Sequence, residues 1–116
     1  MIEIIIPEKK SLNKILRMNY HKKVALQDLF SKEVMVAKNQ QKLKPIEGYP
    51  LNFIYTFYII GKELDAMNLA GMSKMLEDGL RYNGILKNDR PKFVSSVKLV
   101  AYKSCRKYNY CIITYE

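Results

Sequence analysis

The stretch GKELDAMNLAGMSKMLEDGLRYNGILKND, residues 61–89, gathers Glu63, Asp65, Lys74, Glu77, Asp78 and Asp89 around what reads as one short helix. Leu69, Met72, Leu76 and Leu80 recur at three- and four-residue steps, so they form a stripe that faces a core. Asn68 stands where an N-cap belongs, and Gly84 closes the far end as a helix-ending glycine does. Asp65 then falls just before the helix and Asp89 just after the turn that follows it, while Lys74 and Asp78 lie one turn apart on a common face. Carboxylates brought together from three places repel one another unless a cation sits among them. Cation binding is therefore the chemistry this spacing points to.

The elements that must position these side chains are legible on either side. Ile2, Ile4 and Ile6 alternate with Glu3 and Ile5 in a short first strand, which Pro7 stops because it lacks a ladder N–H. Residues 8–23 read as a basic loop in which Lys9, Lys10, Lys14, Arg17, Lys22 and Lys23 are interleaved with Asn13, Tyr20 and His21. Such a mixture suits phosphate contact, with Tyr20 free to stack on a base; a solvated basic surface is the plainer alternative. From Tyr20 to Gln41 the apolar set Val24, Leu26, Leu29, Phe30, Val34 and Ala37 follows helical spacing. The turn-rich, basic segment 42–50 ends that helix, since Pro45 holds its predecessor extended.

Leu51 to Ile60 is dense in aromatic and β-branched residues and predicts a long central strand with both faces covered. It delivers the chain to Glu63 and Asp65, beyond a strand's carboxyl end, where open α/β sheets place functional groups. Phe93 to Lys103 and Tyr108 to Tyr115 predict a terminal hairpin. The expected fold is α/β (α+β): a single domain over residues 1–116, with elements ordered β-α-β-α-β-β, a mixed four-stranded sheet and two helices packed against it.

Twenty Lys and Arg against eleven Asp and Glu leave a net charge of +9, a field that attracts a polyanion. Nucleic acid is the leading partner and an anionic membrane surface the lesser one. No run approaches the roughly 18 apolar residues of a membrane helix, so no membrane span is expected and nucleic acid rather than a membrane is the expected partner. Cys105, Cys111 and the single His21 are too few for a closed zinc site, and the thiols are expected to stay free. The strand-like start carries no signal-peptide pattern, which makes the cytoplasm the expected compartment.

With these elements placed, the chain resembles the RusA-like Holliday junction resolvases common on bacteriophage and prophage genomes. Near the front the resemblance lies in Pro7 after the first strand, Ser11-Leu12-Asn13-Lys14 and Arg17-Met18. At the centre it lies in Leu64-Asp65, Asn68, Lys74, Asp78-Gly79-Leu80, Gly84-Ile85-Leu86 and Asn88-Asp89, followed by Pro91, Lys92 and Val94. The chain departs from that pattern in carrying Glu63 where the family has Asp, and Ala70 one turn before Lys74.

The resemblance implies a Mg²⁺-dependent endonuclease, with Mn²⁺ a possible substitute, that cuts branched DNA by paired phosphodiester hydrolysis as a homodimer in a bacterial host's cytoplasm. It implies Glu63, Asp65 and Asp89 as metal ligands, Asp65, Lys74 and Asp89 as catalytic residues, and Asp78 and Asn68 as their support. Lys9, Lys10, Asn13, Lys14, Arg17, Tyr20, Lys22, Lys23, Lys87 and Arg90 would hold the nucleic acid. The alternative is a nucleic-acid-binding protein on the same scaffold that has lost catalysis; a protein that binds another protein is the third reading.

Overall fold

The computed structural model of the protein describes residues 1–62 and 66–116. Among them are four strands, β1 (Ile2–Ile5), β2 (Leu51–Ile59), β3 (Val94–Lys103) and β4 (Tyr110–Tyr115), and three helices, α1 (Leu12–Arg17), α2 (Tyr20–Gln41) and α3 (Ala66–Tyr82). The strands form one mixed sheet in the order β1-β4-β2-β3, giving the α+β class expected from the sequence. β2 and β3 run parallel, with α3 as the crossover between them, and β4 runs antiparallel to both β1 and β2. No described helix is long and apolar enough to cross a membrane.

The terminal hairpin does not form, because β4 pairs with β1 and β2 rather than with β3. β2 buries five side chains, and β4 on its second edge satisfies backbone groups that a β3–β4 hairpin would leave unpaired. Residues 104–109 carry the chain past the end of β2, pinned there by Ser104 N–H on the Ile59 carbonyl (3.0 Å) and Ile60 N–H on Asn109 Oδ1 (2.7 Å).

Strand alternation sends Leu51, Phe53, Tyr55, Phe57 and Ile59 of β2 to one face, each at most 2% exposed. They meet Leu69, Met72, Leu76 and Leu80 of α3 and Leu26, Phe30, Val34 and Ala37 of α2. Val24 and Leu29, which helical spacing also puts in the α2 stripe, lie at its margins and are exposed. The opposite face is open rather than covered, with Ile54 36% and Ile60 43% exposed. The third helix does not cover it: α1 packs on α3, on the helical side.

That helix corrects the reading of residues 8–23 as a loop. Ser11 caps α1 by accepting the Lys14 N–H at 3.2 Å, and Asn19 caps α2 by accepting the Lys22 N–H at 2.9 Å. A six-residue helix that buries only Ile15 leaves no periodic stripe to recognise.

Two glycines let the helices approach. A Cβ at Gly71 would stand 2.6 Å from Ile15 Cδ1 and 3.3 Å from the Leu12 Cα; one at Gly79 would stand 2.9 Å from Val34 Cγ2. Val34 is fully buried and stiff about χ1, so it has little room to yield. Gly79→Ala is expected to lose about 1 kcal/mol, because overpacking costs more than the ~1 kcal/mol of helix propensity it recovers. Urea unfolding checks this, and a variant more stable than the parent would contradict the close approach.

Candidate active site: a lysine between two carboxylates

The four buried side chains of the α3 stripe fix the rotation of the helix, which turns Lys74 and Asp78 outward and Glu77 inward. Lys74 Nζ lies 2.6 Å from Asp89 Oδ2 and 3.2 Å from Asp78 Oδ1, and Arg81 Nη2 lies 3.2 Å from the same Asp78 oxygen. The result is an alternating row, Asp89, Lys74, Asp78, Arg81. Side-chain exposures of 55% for Lys74 and 29% for Asp89 put the closest pair at the surface, where it stabilises the fold by about 1 kcal/mol or less. Its importance is the placement of charge.

Asp89 reaches Lys74 because the chain doubles back after α3. Gly84 adopts φ 73°, a left-handed conformation that suits glycine, and the Ile85 and Leu86 N–H groups both return to the Leu80 carbonyl, at 2.9 and 3.1 Å. Buried Ile85 and Leu86 anchor the turn, Tyr49 Oη accepts the Lys87 N–H at 3.0 Å, and Asn88 Oδ1 accepts the Arg90 N–H at 3.0 Å. Hydrogen bonding from Lys74 holds the Asp89 carboxyl below the usual aspartate range. Partial burial opposes the Lys74 charge, but hydrogen bonds and attraction from Asp89 and Asp78 outweigh it and raise the ammonium above the ordinary lysine value. Asp89 is thus ionised and Lys74 charged at neutral pH.

The remaining predicted site residues are distributed as follows. Glu63 and Asp65 lie outside the described residues. Asn68 is not an N-cap: α3 starts at Ala66, so Asn68 is inside the helix. Asp78 stands beside Lys74 as the spacing predicts. Lys9 donates to the carbonyls of Ile60 (3.3 Å) and Lys62 (3.1 Å), and Lys10 lies 3.9 Å from Glu8, so both already have partners. Asn13, Lys14, Arg17, Tyr20, Lys22, Lys87 and Arg90 are exposed, and Lys23 is half-buried. A groove of about 430 Å³ between α1, α2 and α3 brings Tyr20 and Lys23 to the cleft that also holds Lys74 and Asp78. Among the described residues, no three His, Cys, Asp or Glu side chains converge as a metal-binding group.

The chain matches no protein-family model, no curated protein and no solved structure. A functional reading therefore rests on the chemistry of the cleft itself.

Sequence reasoning places Glu77 in the cluster without a role and does not name Arg81 at all. Glu77 is only 8% exposed and accepts a hydrogen bond from Tyr55 Oη at 3.3 Å, beneath the charged row. Its place beside Leu76, at the margin of the apolar stripe, was the available signal. Arg81, the outer partner of Asp78, lies one turn further along α3, where helical spacing also puts it in reach. The two thiols are free as expected, with Cys111 buried and its thiol pushed up by that burial.

Burial raises the Glu77 carboxyl above its ordinary 4.5 despite the opposing Lys74 charge and the Tyr55 hydrogen bond. A carboxyl raised in the folded state contributes stability below its unfolded pKa, and this contribution is lost as pH rises through the folded value. Glu77→Gln, which cannot ionise, is therefore expected to be more stable than the parent at pH 7, with the difference closing near about pH 4. Urea midpoints at the two pH values check it; a deficit at pH 7 would mean that the ionised carboxylate is favoured in place.

Proposed function

We propose that the chain is a Mg²⁺-dependent, structure-selective endonuclease that cuts branched DNA, such as a Holliday junction, by paired phosphodiester hydrolysis as a homodimer. The observation that carries this reading is the Lys74–Asp89 contact, an ionised carboxylate and a charged ammonium 2.6 Å apart, at the rim of a mainly apolar groove that Lys23 and Lys74 also line. Asp89 is an oxygen donor, ionised and part-exposed, which suits a hard divalent cation. With Glu63 and Asp65 it would hold Mg²⁺, or Mn²⁺ in its place; bound there, the metal supplies charge neutralisation at the phosphate and an acidified water. Lys74 would set its charge against the oxygen where negative charge develops. Asp78, tied to Arg81, would hold that ammonium in place. Asn13, Lys14 and Arg17 of α1, with Lys22, Lys87 and Arg90, would grip phosphates on either side. The setting this reading implies is the cytoplasm of a bacterial host carrying a phage or prophage gene.

A nucleic-acid-binding protein without hydrolysis is the second reading, and a specific observation favours it. Lys74 already spans both Asp78 and Asp89, so this cluster is close to charge balance without a metal. α3 also runs unbroken from Ala66 to Lys74, eight residues or about 12 Å of rise, which separates the start of the helix from the ammonium.

A labelled synthetic four-way junction distinguishes them. The endonuclease reading expects paired, symmetric nicks with Mg²⁺ that vanish with EDTA and in Asp89→Asn, and a rate about 10²–10³-fold lower in Lys74→Ala. Tight junction binding without nicks, in Mg²⁺ and Mn²⁺ alike, would leave the binding protein. Either reading expects affinity to fall steeply with salt.

A further inference from the structure

The face of the sheet opposite the helices carries a second organised surface. Tyr110 of β4, Tyr58 of β2 and Tyr102 of β3 occupy one cross-strand row. The Tyr110 and Tyr58 rings stack with centroids 4.6 Å apart and planes 6° apart, and Tyr102 continues the row at 5.8 Å and 31°. The Arg106 guanidinium closes one end, 4.1 Å over the Tyr110 ring. At the other end Tyr102 is 54% exposed on β3, an edge strand with no neighbour on its outer side among the described residues. Ile112, Thr56 and Val100 form the next row below, half-buried and mainly apolar.

The charges around this row have one sign. Lys98 lies on the same face of β3 as Tyr102, and Lys107 lies in the following turn, both exposed. Glu3 is the one acid within the four strands, and Arg106 Nη1 neutralises it at 2.9 Å. An open aromatic end thus stands among cations with no free carboxylate on the strands. A planar, uncharged ring attached to an anionic backbone is complementary to both features. Duplex DNA hides its base faces, whereas an unpaired strand presents them.

We propose that the open sheet face binds an unpaired nucleic-acid strand, with a base stacked on Tyr102 and the backbone phosphates held by Lys98 and Lys107. The site does not depend on the Lys74 cluster, which lies on the helical side of the sheet.

Fluorescence anisotropy with a short labelled poly-dT strand, and with an abasic strand of equal length and charge, tests it. The base-bearing strand is expected to bind about tenfold tighter, and Tyr102→Ala to abolish that preference while Tyr102→Phe retains it. Lys98→Ala is expected to weaken both strands and lower the salt slope by about one. Tyr102 is exposed on an edge strand, so the variant should fold, and circular dichroism confirms that it has. Equal affinity for the two strands, or a preference that survives Tyr102→Ala, would overturn the proposal. So would a preference lost in Lys74→Ala instead, which would move the strand to the helical side, or a dimer in sedimentation that Tyr102→Ala dissociates, which would make the face an interface between copies.

Discussion

The helical side of the molecule depends on the five side chains that β2 drives into the core. Leu51, Phe53, Tyr55, Phe57 and Ile59 form a dry surface that only an apolar helix stripe can cover, and α3 supplies one with Leu69, Met72, Leu76 and Leu80. Once that stripe is buried, the rotation of α3 is no longer free. Lys74 and Asp78 must face the cleft, Glu77 must meet Tyr55, and the turn stapled by Ile85 and Leu86 must bring Asp89 back to the ammonium. The charged row is therefore a consequence of hydrophobic packing, since surface ion pairs of this kind contribute little to folding themselves.

How much of this could be read from the chain depends on the range of the interaction. α2 and the core stripe of α3 rest on local periodicity; the α3 stripe is inward as expected, whereas in α2 Leu26, Phe30, Val34 and Ala37 are inward but Val24 and Leu29 are exposed. The pairing of Lys74 with Asp78 follows from a single helical turn. Pairing between strands is decided by competition for the edges of β2, which no local pattern records, and this is why β3 and β4 looked like a hairpin. The open sheet face was hidden for a related reason: Ile54, Tyr58 and Ile60 are as apolar as core residues, and alternation cannot show which face the helices choose. Asn68 illustrates a boundary effect, a capable capping residue enclosed by a helix that starts earlier.

Two electrostatic environments share α3 at a spacing of three residues. On the cleft side, cations and carboxylates are near enough to hold one another ionised. On the core side, Glu77 is held above the usual carboxylate range by burial. One carboxyl raised above the usual range close to another, Asp89, lowered below it is the kind of division that acid–base chemistry uses.

The outer edge of β3 has a consequence for the molecule in a crowded cell. Ten residues of strand with a free row of backbone donors and acceptors are a template onto which another chain can add, the first step towards aggregation. Ser95, Ser96, Lys98 and Lys103 interrupt the apolar character of this edge, and two lysines brought against two more from an identical strand would repel. The same positive charges that would draw an anion to this edge thus oppose its pairing with an identical strand.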